Sequence, residues 1–150
     1  MLTEQQIKTA AGKLYQAEKD RIQIPALTLE HLDMTMEDAY AIEKTGVDQK
    51  VADGAKVKGY KIGLTSRAMQ MAVNIDQPDY GVLLDNMFFV DGAEIKASDF
   101  LDPRIEVELA FVLKDRLEGE DVTIFDVLNA TDYVIHSFEL IDERAHRTNL

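Results

Sequence analysis

The segment 104–113 alternates charged and apolar side chains along its length. A period of two is typical of a β-strand that has one face in a hydrophobic core, so the apolar set is predicted to be buried. The same period places Glu106 and Glu108 on one face, about 7 Å apart at roughly 3.3 Å of rise per residue. Further along that face the residues become apolar, with Ala110 and Val112. This change indicates that the two carboxylates lie near buried surface.

Two interpretations of this acidic pair remain open. It fits the solvated outer face of an antiparallel strand, and it also fits a bound divalent cation, because neighbouring anions near buried surface repel each other and lose hydration. A third acid, Glu139, interrupts a largely apolar strand predicted over residues 133–142. Buried acids are rare unless they are paired or bind a metal, so Glu139 is the natural third ligand. Three carboxylates in a chain without cysteine favour a hard cation, Mg²⁺ or alternatively Mn²⁺.

A lysine and an aspartate are candidates for the chemistry beside such a metal. Lys61 stands between Gly59 and Gly63 on one face of a predicted strand, and glycine in a strand often marks a close approach to the backbone. A bent edge strand with a solvated lysine fits this pattern equally well. Asp79 lies between a proline and a glycine in residues 77–81, where an aspartate more often stabilises a turn. Next to a metal, both would suit carbonyl polarisation, enolate stabilisation and proton transfer.

Composition limits the partners. The net charge of -12 argues against nucleic acid or an anionic membrane surface, although local cations still permit a small anionic ligand. The absence of cysteine excludes a thiolate zinc site and is consistent with a reducing cytoplasm. We expect neither a signal peptide nor a membrane span, and we therefore predict a cytoplasmic protein.

The 150 residues contain both helix and strand patterns, and we expect an α+β chain. Helices are expected from a capping box at residues 3–6 to about residue 21, from Thr35 to Gly54, and after Thr123. Strands are expected over 56–64, 82–90, 104–113 and 133–142. A turn at 91–92 is predicted to make a hairpin of residues 82–96.

Five segments, in this order, resemble the hydratase/decarboxylase branch of the fumarylacetoacetate hydrolase superfamily. They are Lys-Ile-Gly-Leu-Thr-Ser at 61–66, Gln-Pro-Asp-Tyr-Gly at 77–81, Pro-Arg-Ile-Glu-Val-Glu-Leu-Ala-Phe at 103–111, Ala-Thr-Asp-Tyr-Val at 130–134 and Glu-Leu-Ile-Asp at 139–142. The resemblance implies N-terminal helices packed on a mixed β-roll. Residues 1–80 would form an N-terminal α/β region and residues 81–150 the first part of the roll, apparently truncated relative to the family.

The resemblance also implies a function. Glu106, Glu108 and Glu139 would ligate Mg²⁺, while Lys61 and Asp79 would act on a small anionic 2-oxo acid in a homo-oligomeric enzyme. The reaction would add water to a 2-oxo-alkenoate of the 2-oxohept-3-ene-1,7-dioate or 2-hydroxypenta-2,4-dienoate type, in the meta-cleavage catabolism of aromatic compounds.

Two alternatives remain. One is decarboxylation of 4-oxalocrotonate, although that branch tends to carry an apolar residue where Asp79 stands. The other is a non-catalytic fragment or partner subunit, because the chain ends earlier than family members do. His136, which stands where relatives carry proline, has no functional interpretation.

Overall fold

The computed structural model describes residues 1–146 and contains five helices and four strands within that range. The predicted α+β class is confirmed. The elements are α1 (Glu4–Asp20), α2 (Leu27–Glu30), α3 (Met36–Ala52), β1 (Val57–Gly63), α4 (Arg67–Ala72), β2 (Asp79–Leu84), β3 (Arg104–Leu113), α5 (Ile124–Ala130) and β4 (Thr131–Ile141). No helix in the described range is both long and apolar enough to cross a membrane.

Helices α1 and α3 begin at capping boxes and pack against each other. Thr3 and Gln6 form the predicted box of α1, and Thr35 and Asp38 form that of α3. Each box satisfies backbone N–H groups that have no partner inside the helix. Small and branched apolar side chains fill the space between the helices, namely Ala10, Ala11, Leu27 and Ile42.

Asp38 is a buried acid that the sequence patterns did not reveal. Its carboxylate accepts hydrogen bonds from the backbone N–H of Leu2 at 2.8 Å and of Thr35 at 3.0 Å. It therefore caps α3 and also ties the segment preceding α1 to it. These backbone hydrogen bonds, the one from Thr35 first and then the one from Leu2, lower the pKa of the Asp38 carboxyl group.

The four strands form two separate two-stranded antiparallel sheets, which we call the β1–β2 and β3–β4 hairpins. The connection between the two strands of each hairpin contains a helix, α4 or α5. In the first, β1 pairs with β2 so that Lys61 lies opposite Gly81 and Gly63 lies opposite Asp79. In the second, β3 pairs with β4, and Glu106 lies directly opposite Glu139. The residue 80/81 boundary between the two predicted regions falls inside β2, and that division remains a prediction.

The sequence predictions of a turn at residues 77–81 and of a hairpin over residues 82–96 were wrong. Residues 79–81 begin strand β2 instead of forming a turn, because they pair with β1. Asp79 pairs with Gly63, and Gly81 pairs with Lys61. Residues 88–96 contain no strand, although residues 91–92 do turn, with Gly92 at a φ of 76°. After Leu84 a short 3₁₀ turn, Asp85–Met87, ends the pairing with β1.

A backbone connection holds the end of β4 against the N-terminal helices. The N–H of Ile24 donates to the carbonyl of Arg144 at 3.0 Å, and the N–H of His146 donates to the carbonyl of Ile24 at 2.8 Å. Beside it, one carboxylate oxygen of Asp142 accepts the N–H groups of Leu101 and Asp102, both at 2.9 Å. The start of β3 and the end of β4 are thus fixed to each other, close to the acidic cluster.

The apolar face of β3 is exposed, so its predicted burial was wrong. Val107 and the directly opposite Phe138 are each 76% exposed. The neighbouring apolar residues on this face of β3 are also exposed, namely Ile105, Leu109, Phe111 and Leu113. Alternation correctly indicates a face suited to burial, but within residues 1–146 no second layer lies over the β3–β4 hairpin.

Substituting Asp38 should destabilise the paired helices in a pH-dependent way. Asp38→Ala removes an acceptor from two backbone N–H groups, and we expect the melting temperature to fall by roughly 5 °C at pH 7. Because the folded-state pKa is lowered, the contribution of the carboxylate is complete above its unfolded pKa of about 4 and is lost as the pH falls from there through the lower folded-state pKa. Thermal unfolding followed by circular dichroism at pH 7 and at pH 3.5 measures this difference.

Asp48→Ala serves as the control, because Asp48 is an exposed carboxylate on the same helix that pairs only with exposed Lys44. It should shift the melting temperature little at either pH. A difference between Asp38→Ala and the parent chain that is equally large at both pH values would contradict the proposed role of the charged carboxylate.

Residues 1–150 produced alone should self-associate, because an exposed apolar hairpin face with unpaired strand edges favours association. Sedimentation velocity over a range of concentrations should show oligomers or aggregates. Val107→Lys combined with Phe138→Lys should shift the distribution towards monomer, whereas Leu32→Lys, at an apolar residue that is 89% exposed elsewhere, should not. A monodisperse, cooperatively unfolding monomer of the parent chain would show that the prediction is wrong.

Candidate metal centre

The three acids singled out from the sequence come together at the β3–β4 hairpin. Glu106 and Glu108 share one face of β3, and Glu139 lies opposite Glu106 on β4. One carboxylate oxygen from each residue lies within 4.8 Å of the others. Strand alternation accounts for the first pair, and the antiparallel register adds the third acid.

The donor set of this cluster fits a divalent cation. Three carboxylate oxygens at this separation carry concentrated negative charge, and oxygen ligands are those that Mg²⁺ prefers. Glu106 and Glu108 are exposed and Glu139 is half-buried, with 22% of its side chain accessible. The first two carboxylates are themselves exposed, while Ala110 and Val112 further along the same face are half-buried, so the acidic pair lies beside partly buried surface.

Lys61 joins the first hairpin to this cluster. Its Nζ lies 3.0 Å from Oε1 of Glu139, and 37% of its side chain is exposed. The ammonium group offsets part of the negative charge of the cluster. Between the two interpretations that the sequence left open, the structure places Lys61 beside the acids and not in bulk solvent.

Asp79 lies on the same side of the β1–β2 hairpin as Lys61. Its carboxylate occupies the space above Gly63, where an added Cβ would collide with Oδ1 of Asp79. Gly63 and Lys61 are two residues apart and therefore share a strand face. The space that Gly63 leaves beside Lys61 is thus occupied by the side chain of the second candidate residue, Asp79.

Two residues at this site were not anticipated from the sequence. Gly81, opposite Lys61, provides the space over which the lysine side chain lies, since an added Cβ would be 3.3 Å from Cγ of Lys61. Glu43 reaches the same hairpin from α3, and its carboxylate accepts the N–H of Val82 at 3.0 Å. A glycine opposite a lysine is a detectable signal only when the strand register is known. The helix pattern around Glu43 contains no such signal.

His136 lies outside this cluster. It pairs with Leu109, and both belong to the apolar face of the β3–β4 hairpin, opposite to the face that carries the three acids.

Two curated proteins similar to this chain are hydratases by name. A 2-oxo-hept-4-ene-1,7-dioate hydratase from Escherichia coli is 57% identical over 136 residues, which cover 91% of this chain and 51% of that protein. A 2-hydroxyhexa-2,4-dienoate hydratase from Comamonas testosteroni is 42% identical, covering 96% of this chain and 55% of that protein. The chain thus spans about half the length of the curated relatives it matches. No protein-family model matches it.

A solved structure shares the fold. The 4-oxalocrotonate decarboxylase from Pseudomonas putida G7, complexed with magnesium and adipate, superposes with a TM-score of 0.93 at 34% sequence identity. The match covers 99% of this chain and 57% of the decarboxylase. At this level of likeness, the fold predicted from the sequence is confirmed.

Proposed function

The chain belongs to the hydratase/decarboxylase branch of the fumarylacetoacetate hydrolase superfamily, and we propose that the protein adds water to a 2-oxo-alkenoate. The observation that carries this proposal is the convergence of Glu106, Glu108 and Glu139, with Lys61 bound to the third of them. The proposal is further supported by the 57% identity to a hydratase whose name specifies a seven-carbon 2-oxo diacid.

Glu106, Glu108 and Glu139 would hold a magnesium ion at the open end of the β3–β4 hairpin. The magnesium complex of the related decarboxylase supports this assignment. When bound, Mg²⁺ supplies a Lewis acid that polarises the 2-oxo group of the substrate. Mn²⁺ is an alternative because it accepts the same oxygen ligands.

Lys61 and Asp79 would move the protons. In a 2-oxo-4-alkenoate the double bond between C4 and C5 is not conjugated with the 2-oxo group. A proton must therefore leave C3 and another must be added at C5, which gives the conjugated 3-alkene. The oxygen of water then forms a bond to C4 as water gives up one proton. A proton added at C3 completes the addition of water across the former double bond. Lys61 and Asp79 lie on the same face of the β1–β2 hairpin, which supports their acting on the same substrate. Neither residue is assigned specifically as the acid or as the base.

Decarboxylation of 4-oxalocrotonate is the second candidate, because the solved structure similar to this chain is a decarboxylase. Both reactions need a polarised 2-oxo group, and they differ in whether water is consumed or CO₂ is released. Assaying the complete protein with a 2-oxo-alkenoate and with 4-oxalocrotonate distinguishes them. Turnover of the second substrate alone would replace hydration with decarboxylation as the function.

A non-catalytic fragment or partner subunit is the third candidate. It would keep the ligand residues and lack turnover, both alone and in the complete protein. We further propose that the protein is cytoplasmic and homo-oligomeric. The absence of cysteine supports the first of these and the exposed apolar face of β3 supports the second.

Mg²⁺ should bind to the complete protein through the three carboxylates. Isothermal titration calorimetry should detect Mg²⁺ or Mn²⁺ binding, and Glu106→Gln or Glu139→Gln should weaken it by roughly 10–100-fold, because each removes a charged ligand. Glu118→Gln is the matched control, since Glu118 is an exposed carboxylate that pairs with Arg116 outside the cluster. Unchanged affinity in both cluster variants would disprove the proposed ligand set.

Lys61→Ala should lower kcat of the complete protein by roughly 100-fold, because a proton-transfer group is lost. The Mg²⁺ affinity should change by less than about fivefold, because partly exposed ion pairs contribute only about 0–1 kcal/mol. Lys61→Arg should rescue poorly, since arginine keeps the charge but does not release a proton.

Lys58→Ala provides the control for Lys61, because Lys58 lies on the same strand and its ammonium contacts the ring of Phe88 at 4.2 Å. It should leave kcat nearly unchanged. Near-normal kcat in Lys61→Ala would refute the catalytic role, and so would a loss of activity that disappears at saturating Mg²⁺.

A further inference from the structure

Helix α3 contacts strand β2 at two neighbouring points. The ring of Tyr40 stacks on that of Tyr80, with centroids 4.7 Å apart and an interplanar angle of 14°. Glu43 accepts the backbone N–H of Val82 at 3.0 Å. Tyr40 and Glu43 are three residues apart and lie on the same face of the helix. The two contacts therefore flank Gly81.

The side chain of Lys61 lies across Gly81, and the Glu43 carboxylate approaches the same point on β2. A methyl group added at Gly81 would lie 3.3 Å from Cγ and 3.7 Å from Cδ of Lys61. The same methyl group would lie 3.6 Å from Oε1 of Glu43. The lysine side chain thus lies over the backbone of β2 at Gly81, and the Glu43 carboxylate borders the same space. We call this space the slot.

We propose that Glu43 is a positioning residue for Lys61. By holding the N–H of Val82, it fixes the height of β2 beneath the lysine, and its carboxylate limits the directions that the lysine side chain can take. The ammonium group is thereby directed towards Oε1 of Glu139, 3.0 Å away. This inference rests on the proposed function, because it assigns Glu43 a part in the step that Lys61 performs.

The magnitude of the effect follows from the sensitivity of proton transfer to geometry. A displacement of about 1 Å at a reacting group can reduce the rate by about 100-fold. Loss of one hydrogen bond at the edge of β2 should move the strand by less than about 1 Å. We therefore expect substitution of Glu43 to lower kcat by about tenfold. Glu43 does not touch the three carboxylates in the described contacts, and metal affinity should therefore not depend on it.

The first test compares two substitutions of Glu43 in the complete protein. Glu43→Ala should lower kcat about tenfold, with KM and the Mg²⁺ dissociation constant within about twofold of the parent values. Glu43→Gln keeps an oxygen that accepts the N–H of Val82, and it should retain at least about half of the parent kcat. Asp48→Ala, on the same helix and away from β2, is the control and should retain parent activity.

A second variant approaches the slot from the strand. Gly81→Ala leaves Glu43 and α3 intact but places a methyl group against the Lys61 side chain, and kcat should fall at unchanged Mg²⁺ affinity. This variant decides the question if Glu43→Ala does not fold. Parent-like kcat in either Glu43→Ala or Gly81→Ala overturns the proposal, as does a Glu43→Gln variant as defective as Glu43→Ala.

A structural measurement separates this inference from the proposed function. In a crystal structure of Glu43→Ala, the distance from Nζ of Lys61 to Oε1 of Glu139 should increase beyond about 4 Å, the usual limit for an ion pair. An unchanged distance overturns the positioning role whatever reaction the protein catalyses. An inactive parent protein in which this distance does respond to Glu43 would refute the proposed function alone.

Discussion

The direct pairing of Glu106 with Glu139 is the constraint on which the site depends. Like charges opposite each other on adjacent strands destabilise a hairpin, and Glu108 adds a third carboxylate on the same face. The hairpin reduces the cost in two ways. Its acidic face is open to water, which screens the repulsion, and Lys61 contributes a positive charge at 3.0 Å from Glu139. The repulsion that remains is what a divalent cation at the proposed site would relieve.

The ion pair between Lys61 and Glu139 brings residues of two separate hairpins together at the proposed site. The β1–β2 and β3–β4 hairpins share no strand pairing in the described residues. The Lys61–Glu139 ion pair is a direct contact between them, and the backbone connection of Ile24 ties the end of β4 to the N-terminal segment. The residues with proposed roles in proton transfer and the residues with proposed roles in metal binding therefore sit on different local structures. Long-range contacts bring these structures together.

Local patterns predicted local structure well. Capping boxes fixed the starts of α1 and α3, and strand alternation placed Glu106 beside Glu108. Properties that depend on distant residues were not predictable in this way. Alternation marked the face of Val107 as suited to burial, but whether another layer covers that face is decided by the tertiary structure. Turn chemistry around Asp79 was misleading because pairing with β1 overrides it. The acids, the lysine and the aspartate were identified as candidates from their residue types and family resemblance, and their roles remain proposals.

Glycine has a different function at this site from the one suggested by the strand pattern. A glycine next to a lysine suggests room for a ligand near the backbone. In the hairpin, each glycine instead provides room for a side chain of the opposite strand: Gly63 for the carboxylate of Asp79 and Gly81 for the side chain of Lys61. The two exchanges are reciprocal, because Gly63 is on β1 and Gly81 is on β2. The side chains of both candidate residues, Lys61 and Asp79, can thus lie over the same face of a two-stranded sheet. Their polar ends can then reach beyond the hairpin while their inner parts are held by backbone. Such an arrangement limits side-chain motion without a surrounding core, which suits a site built on a largely exposed pair of hairpins.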